Sequence, residues 1–413
     1  MRFAHFADCH IGSWRDPKMR EISVRAFVKA IDIVLQKKVD FVVISGDLFN
    51  TSVPSIDSLK DAVDKLKSLN NKGIPVYGIA GSHDFSASGK TMLDVLERAG
   101  IFTNIFRGKV EDKKLRLEFT TDKRTGAKLT GIIGRKGMLD RRFYEDLERS
   151  ELEKEEGYKI FLFHTAISEI KPKELERMHS APMNALPKGF NYYAGGHVHY
   201  IFRESFPEYG WIAYPGALFP TNFHDLEKYS RGGFYIVDVD EKSESPEESI
   251  EWVPVQVMNT FHLDIDCNGK TPGQVEEEIY SQISNKEFFR TIVTMRLHGT
   301  LSRGNPSDID FKSIYGMLFD KSAYYIMKSV HALFSRDFEK AKPESASESV
   351  EEVEENIIGG QAGSGMIEGM DAQKEKDLMR SLMHILSAER HEDEKVAEFE
   401  KRVIDDAERV MEF

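Results

Sequence analysis

The sequence predicts an α/β fold, because short apolar strands alternate with amphipathic helices through its first 240 residues. Near-continuous apolar runs such as residues 40–45 are typical of strands in a sheet that is covered on both faces. Helical patterns occupy about residues 21–37 and 55–71, and Ser55 is suited to cap the second. The apolar runs lie at residues 3–7, 40–45, 75–80, 129–134, 159–164, 192–196, 211–216 and 232–239. Open α/β sheets bind ligands beyond the carboxyl ends of their strands, so we expect functional residues in the loops that follow.

The character of the chain changes after its first 245 residues. Residues 250–335 contain apolar strands and short helical patterns near 273–285 and 321–334, which predicts a separate small α+β module. Residues 338–371 are acidic and then rich in glycine, a composition that disfavours a packed core and predicts a flexible linker. Two amphipathic patterns within 372–413 predict a terminal helix pair. The linker ahead of this pair favours docking on a partner over packing on the body.

Composition and charge limit the classes of function. The 413-residue chain has a net charge of −13, and residues 341–413, with 20 acidic and 9 basic side chains, carry most of it. The remaining chain is nearly neutral, so a basic face is not excluded, and the basic clusters at 109–142 fit either scattered solvated lysines or a phosphate-binding patch. No apolar run reaches the roughly 18 residues that span a membrane, and no signal segment opens the chain. With only two cysteines, a reducing cytoplasm is the expected location.

Aspartate and histidine recur in the loops that follow five of the apolar runs. The residues are Asp8, His10, Asp47, Ser82, His83, Asp84, His164, His197 and His199. Any one of them could cap a strand, but five loops with the same chemistry in the same position are hard to explain as caps. Alternation along an extended segment puts residues i and i+2 on one side, so Asp8 and His10 are expected to address one ion, and His197 and His199 likewise.

The donor types indicate a metal centre. Mixed carboxylate and imidazole ligands suit Mn, Fe, Zn or Ni better than Mg. Asp47, alone at its strand end, is the predicted bridge between two ions, and such a pair clamps a phosphate and activates a water. A Ser/His/Asp triad is the poorer alternative, because adjacent Ser82, His83 and Asp84 point in different directions.

This ordered series of motifs resembles the calcineurin-like metallophosphoesterases, and within them the DNA double-strand-break repair nucleases of the Mre-eleven/SbcD family in their archaeal form. The segments "SGDLFNTSVPS" at 45–55, "YPGA" at 214–217 and "RGGFYIVDVD" at 231–240 carry the narrower resemblance. The resemblance implies a four-layer αββα sandwich with a small α+β capping domain and a C-terminal helix pair. The implied divisions are a nuclease domain at 1–245, a DNA-binding capping domain at 250–335, a linker at 338–371 and an ATPase-binding helical motif at 372–413.

The resemblance also implies a role for each site residue. Two Mn²⁺ ions per chain would share Asp47 as a bridging ligand. One ion would be held by Asp8, His10, Asp47 and His199, and the other by Asp47, Ser82, His164 and His197. His83 would act on the scissile phosphate and Asp84 would orient its ring, which makes both candidate catalytic residues.

Two positions depart from the family's usual residues. Ser82 stands where asparagine is normal, and its neutral hydroxyl is a shorter and weaker ligand, so we expect a more weakly held second ion. Asn50 stands where many members have a histidine that helps to place the DNA end. Asparagine can bond to phosphate but carries no charge, so Asn50 is a possible DNA-positioning residue.

The function implied is Mn²⁺-dependent cleavage of DNA, as a 3′-to-5′ double-strand exonuclease and a single-strand endonuclease in double-strand-break repair. The implied assembly is a nucleoid-associated homodimer bound through residues 372–413 to a coiled-coil ABC-type ATPase of the Rad-fifty/SbcC type. One alternative is a phosphodiesterase of the same fold that acts on nucleotides or small molecules, although such an enzyme has no obvious need for the extra module and helices. The other is a weakly catalytic scaffold that tethers DNA ends, which only the two departures support.

Overall fold

The computed structural model describes residues 1–86, 89–135, 140–240, 247–336, 372–388 and 396–411. The chain forms two compact units. The first contains residues 1–263, 286–295 and 317–328, and the second contains residues 264–285, 296–316 and 329–413. The linker predicted at 338–371 falls outside the described residues, and the functional domain boundaries stay predictions.

The described residues contain nineteen strands and ten α-helices. The strands are β1 (Arg2–Phe6), β2 (Phe41–Ser45), β3 (Val76–Ile79), β4 (Thr103–Asn104), β5 (Gly108–Glu111), β6 (Lys114–Leu117), β7 (Thr120–Thr121), β8 (Lys128–Ile132), β9 (Lys159–His164), β10 (Ala166–Ile167), β11 (Ser180–Ala181), β12 (Tyr192–Gly196), β13 (Phe202–Phe206), β14 (Gly210–Tyr214), β15 (Gly232–Asp240), β16 (Glu247–Val255), β17 (Asn259–Asp266), β18 (Thr291–Leu301) and β19 (Ala323–Ser335). The helices are α1 (Pro17–Lys37), α2 (Ile56–Asn71), α3 (Met92–Arg98), α4 (Arg141–Glu145), α5 (Ser150–Lys154), α6 (Phe223–Tyr229), α7 (Pro272–Ile283), α8 (Phe311–Asp320), α9 (Ala372–Leu386) and α10 (Val396–Met411).

Two six-stranded sheets build the body of the first unit. The first sheet has the order β16-β15-β1-β2-β3-β4, and its strands β1 to β4 are mutually parallel. The second has the order β13-β14-β12-β9-β8-β7, with β8, β9, β12 and β14 parallel. Because all five residues of β2 and all six of β9 are buried, both sheets are covered on both faces, as their apolar runs predict.

The two sheets face each other, with helices on their outer sides. The ring of Phe3 in β1 meets the ring of Tyr192 in β12 edge-on, with centroids 5.2 Å apart. On the first sheet, α1 contributes Phe27 to the same apolar core, and on the second, α4 and α5 contribute Tyr144 and Leu152 to the other. The predicted four-layer αββα sandwich is therefore confirmed.

The first helices begin at capping residues. Asp16 accepts hydrogen bonds from the backbone of Lys18 and Met19, so α1 starts one turn earlier than its apolar pattern suggests. The Ser55 side chain accepts from the backbone of Ser58, and α2 follows it directly, which confirms the predicted cap. Helix α1 follows the loop after β1 and helix α2 follows the loop after β2, so each helix holds the C-terminal end of its loop.

The smaller sheet has the order β17-β18-β19. Helix α7 confirms the helix predicted near 273–285, and Thr271 starts it with a capping box. The helix predicted at 321–334 is wrong, since these residues form β19 and the helix is α8 before it. The aromatic and β-branched run from Tyr324 through Ile326 favours a strand over a helix.

The two terminal helices confirm the predicted helix pair. Helices α9 and α10 contact each other. Among their side chains that the structure describes, the large apolar ones of Leu386, Ile404 and Met411 remain exposed. Among the helices that the structure describes, none has the length and hydropathy to cross a membrane.

Candidate metal centre

The loops after five strands meet at one edge of the two facing sheets. In the first sheet these loops follow β1, β2 and β3, and in the second they follow β9 and β12. The strands within each group run parallel, so their carboxyl ends lie side by side. Every aspartate and histidine singled out from the sequence lies in one of these loops or at a strand end beside them.

The backbone of this edge is unusual. Asp8, His10, Asp47 and His197 all have positive φ, at 49°, 42°, 52° and 86°. Such values are uncommon for residues other than glycine and concentrate at functional sites. The extended geometry expected for Asp8-x-His10 and His197-x-His199 is therefore wrong. Left-handed backbone, and not strand alternation, brings Asp8 and His10 into one set of potential metal ligands, whereas His197 and His199 do not share a set.

Glycines beside the site allow its loops to approach closely. A Cβ on Gly81 would lie 2.3 Å from the backbone nitrogen of Asp47, and one on Gly196 would lie 2.1 Å from the carbonyl oxygen of Ser45. Both distances are shorter than any real contact, so larger residues would push the β2 loop away from the β3 and β12 loops.

Three sets of side chains bring potential ligand atoms within 4.8 Å of one another. The sets are Asp8 with His10 and His199, Asp8 with Asp47 and His164, and His10 with Asp47 and His83. Asp8, His10 and Asp47 each belong to two sets, and of these the carboxylates are the groups able to bridge two ions. His197 lies beside these sets, with its ring centroid 5.2 Å from that of His164.

The donor set fits divalent metal ions. His10 is only 3% exposed, and within the described structure neither of its ring nitrogens has a hydrogen-bond partner. Such a buried imidazole is costly unless a ligand engages it. Burial lowers the pKa of His10 to about 3 and that of His197 to about 4, which keeps both rings in the neutral form that binds metals.

The buried carboxylates and His164 shift one another's pKa values. Burial raises the pKa of Asp8 to about 6, although His164 and His199 oppose the change. Burial also disfavours the charged form of His164, but Asp47, with Oδ2 3.1 Å from its Nε2, more than offsets this and raises its pKa to about 10. The pKa of Asp47 falls well below its usual range despite burial, because histidines surround it. Two buried carboxylates in one site favour divalent cations over a neutral ligand.

The loop of residues 82–84 lies against Asp47. The Ser82 hydroxyl is 3.4 Å from Asp47 Oδ2, and the backbone N–H of His83 donates to Asp47 Oδ1 at 2.7 Å. The His83 ring is held by the carbonyl of Asn50, at 2.8 Å from Nδ1. Asp84 accepts hydrogen bonds from the backbone of Phe49 and Gly81, so its visible contacts support the loop backbone and not the His83 ring.

Two supporting residues were missed from the sequence. Asp225 Oδ2 accepts from Nδ1 of His199 at 2.7 Å, and the only local signal is the Asn222-x-x-Asp225 cap of α6. His5 is fully buried and bonds to Tyr192 of the opposite sheet and to Ser45 Oγ. The Ser45 carbonyl in turn accepts from Nδ1 of His164 at 2.7 Å. These contacts join residues 26 to 187 positions apart, so no sequence spacing reveals them.

A cavity of about 760 Å³ adjoins the site. Its lining includes His83, His164 and His197 together with Arg135 and Arg149. Its volume is in the range that holds small ligands or one nucleotide unit. The arrangement can therefore bring an anionic ester next to the metal-ligand sets.

The fold and this donor set define a binuclear metal-dependent phosphoesterase. Residues 1–200 match the family model of the calcineurin-like phosphoesterases. Archaeal proteins named DNA double-strand break repair protein Mre11 are similar over longer stretches. The one from Methanopyrus kandleri is 29% identical over 58% of this chain and 54% of its own length, and the one from Archaeoglobus fulgidus is 28% identical over 56% and 53%. The chain thus spans about half the length of these two relatives.

A further relative is covered more completely. The Thermoplasma acidophilum protein of the same name is 30% identical over 308 residues, which are 72% of this chain and 77% of that protein. This chain belongs to the Mre11 (Mre-eleven/SbcD) family of calcineurin-like phosphoesterases.

Proposed function

We propose that this protein is a Mn²⁺-dependent DNA nuclease that processes DNA ends in double-strand-break repair, as a 3′-to-5′ exonuclease and a single-strand endonuclease. The observation that carries the proposal is the meeting of five strand-end loops around His10, whose buried ring nitrogens have no partner among the described residues. Relatives named for double-strand-break repair supply the choice of DNA as substrate.

The chain's own residues account for most of the reaction scheme. One ion would be held by Asp8, His10, Asp47 and His199, and the other by Asp47, Ser82, His164 and His197. When bound, the ions supply a water of lowered pKa and neutralise the charge on the phosphate. Asp47 receives hydrogen bonds from the 82–83 segment, so the bridge and the catalytic loop keep a fixed relation.

His83 would act on the substrate. Because a carbonyl can only accept, the contact with Asn50 fixes the proton of the neutral ring on Nδ1. In the protonated ring, Nε2 also carries a proton and would donate it to the phosphate or the leaving oxygen, and His83 lines the cavity. Asn50 therefore acts through its backbone carbonyl in addition to any contact of its side chain with DNA.

The remaining parts of the chain suit a larger assembly. Helices α9 and α10, with exposed Leu386, Ile404 and Met411, would bind the coiled-coil ATPase. The module at 250–335 would act as the DNA-binding capping domain, and the active form would be a homodimer. The exposed hairpin of β5 and β6 holds part of the basic cluster, although Arg116 is paired there with Glu111 at 2.9 Å.

The test is an assay in Mn²⁺ with three substrates: end-labelled duplex DNA, a DNA hairpin and a nucleotide phosphodiester. Shortening of the duplex from its 3′ ends and opening of the hairpin are the expected results. Cleavage of the nucleotide ester alone would favour a small-molecule phosphodiesterase. Retained DNA binding without cleavage of any substrate would favour a tethering scaffold. The metal-free protein in excess chelator is the control.

A further inference from the structure

A carboxylate accepts a hydrogen bond from the ring of His199. Its Nδ1 donates to Asp225 Oδ2 at 2.7 Å. Asp225 is itself 8% exposed and is fixed by Asn222, whose side-chain Nδ2 donates to the same oxygen at 2.8 Å. The Asn222 side-chain oxygen also accepts from the Asp225 backbone at 2.8 Å, so both ends of the residue are held at the start of α6.

The corresponding histidine in the other ligand set has a different support. Nδ1 of His164 donates to the Ser45 backbone carbonyl at 2.7 Å, which is a neutral acceptor. Both contacts hold a proton on Nδ1 and would leave Nε2 for an ion. Only the carboxylate adds negative charge, which stabilises positive charge that the ring acquires on binding a cation. The two ligand sets are therefore unequal in the charge behind them.

A second inequality lies in the ligands themselves. In the proposed centre, the ion held by Asp8, His10, Asp47 and His199 would have two carboxylates, and the ring of His10 has no hydrogen-bond partner among the described residues. The other ion, held by Asp47, Ser82, His164 and His197, would have one carboxylate and the neutral hydroxyl of Ser82, which lies 3.4 Å from Asp47 Oδ2. Both differences favour tighter binding of the ion held by Asp8, His10 and His199.

We propose that Asp225 is a positioning residue that makes the ion held by Asp8, His10 and His199 the more tightly bound of the two, so that the sites fill in sequence. This inference rests on the two-ion centre of the proposed function. It predicts a protein that carries one ion at low Mn²⁺ and becomes fully loaded only at higher concentrations.

The experiment is a calorimetric Mn²⁺ titration of the full-length, metal-free protein. Wild-type protein should show two separate steps. Asp225→Asn keeps the size of the side chain and removes its charge, and it should weaken the first step by about 10- to 100-fold while changing the second much less. The matched control is Asp264→Asn, which breaks another His–Asp contact, 3.3 Å from His298, and should leave both steps unchanged.

A spectroscopic measurement tests the positioning role without any metal. Long-range proton–nitrogen NMR of histidine-labelled wild-type protein should show a hydrogen-bonded Nδ1–H on His199, assigned by its absence in His199→Gln. In Asp225→Asn this signal should shift or disappear while the Nδ1–H signal of His164 stays. Should Asp225→Asn fail to fold, the wild-type spectrum decides, since a His199 ring with a proton on Nε2 and none on Nδ1 overturns the proposal.

Several outcomes would overturn the inference. They are a single wild-type step, two steps weakened equally by Asp225→Asn, or the same loss in Asp264→Asn. Failure of the nuclease proposal is separable from these results. Sequential Mn²⁺ binding without DNA cleavage defeats the nuclease and retains the role of Asp225, whereas DNA cleavage with unordered binding does the reverse.

Discussion

The backbone N–H of His83 donates to Oδ1 of Asp47 at 2.7 Å, which fixes the proposed catalytic loop to the proposed bridging ligand. The same loop places the His83 ring 4.8 Å, centroid to centroid, from that of His10. His83 thus lies close enough to the proposed ligands to bind an ion itself. Its ring nitrogen forms one of the three candidate metal sets with His10 and Asp47. Its role as a catalytic residue or as a ligand is a question that substitution answers.

His83→Ala should abolish cleavage while leaving metal binding nearly intact. The expected loss in turnover is roughly 10²- to 10⁴-fold, which is typical for removal of a general acid or base. Turnover of a nucleotide phosphodiester and a calorimetric Mn²⁺ titration measure the two properties separately. His10→Ala is the matched comparison, because it should lose both activity and one ion. A large loss of bound Mn²⁺ in His83→Ala would instead make His83 a ligand.

Ser82→Asn should tighten the more weakly held ion. An amide oxygen reaches further and is a better ligand than the Ser82 hydroxyl, which now contacts Asp47 at 3.4 Å. We expect the affinity for the more weakly held Mn²⁺ ion to rise about tenfold. This is the low end of the effects that substitutions beside a metal site produce. Ser284→Asn, at an exposed position after α7, is the control. An unchanged titration would show that residue 82 does not contribute to the shell.

The sequence was sufficient to predict which loops hold the site, because strands of buried parallel sheets are continuous apolar runs and their ends are visible. It was insufficient for the geometry within the loops. Tertiary contacts impose the positive φ of Asp8, His10 and Asp47. Because none of these residues is a glycine, the sequence does not indicate the left-handed backbone. The contact of Asp225 with His199 likewise joins separate loops, and its only local trace is a helix cap.

The later part of the chain shows the same limit for secondary structure. The segment 323–335 has apolar residues that fit a helical spacing, yet it pairs with β18 as the edge strand of a small sheet. Residues 250–255, predicted from the sequence as part of the small module, lie in β16, which pairs with β15 in the first sheet. Pairing partners that are distant in sequence decided both cases, and local patterns carry little information about them.

Removal of residues 372–413 should abolish binding of the coiled-coil ATPase and spare phosphodiester cleavage by the body. The reason is that the apolar side chains of α9 and α10 remain exposed beyond their mutual contact. A finer version is Leu386→Asp with Ile404→Asp, and Glu408→Ala on an exposed position of α10 serves as its control. Co-purification with the ATPase subunit measures binding. Partner binding that survives the truncation would move the binding surface elsewhere in the chain.

His5 should make the protein less stable as the solution becomes acidic. Burial lowers the pKa of His5 from its ordinary value of 6.5 to about 3, although a contact with the Gly195 backbone opposes the change. The unfolded chain therefore binds a proton at His5 between these two pH values and the folded chain does not. Stability is retained above about pH 6.5 and declines as the pH falls below it, by about 1.4 kcal/mol per pH unit for this residue.

His5→Gln should remove that dependence, because glutamine is neutral at every pH and can still bond to Ser45 and Tyr192. Urea unfolding of metal-free wild-type and variant protein between pH 8 and pH 5 measures the difference. The two stability curves should run parallel above pH 7, where the imidazole is neutral in both states, and this range is the internal control. Below pH 6.5 the wild-type curve should fall more steeply by about 1.4 kcal/mol per unit. Curves that stay parallel throughout would show that the proton is taken up by a folded state in which His5 is no longer shielded between the two sheets.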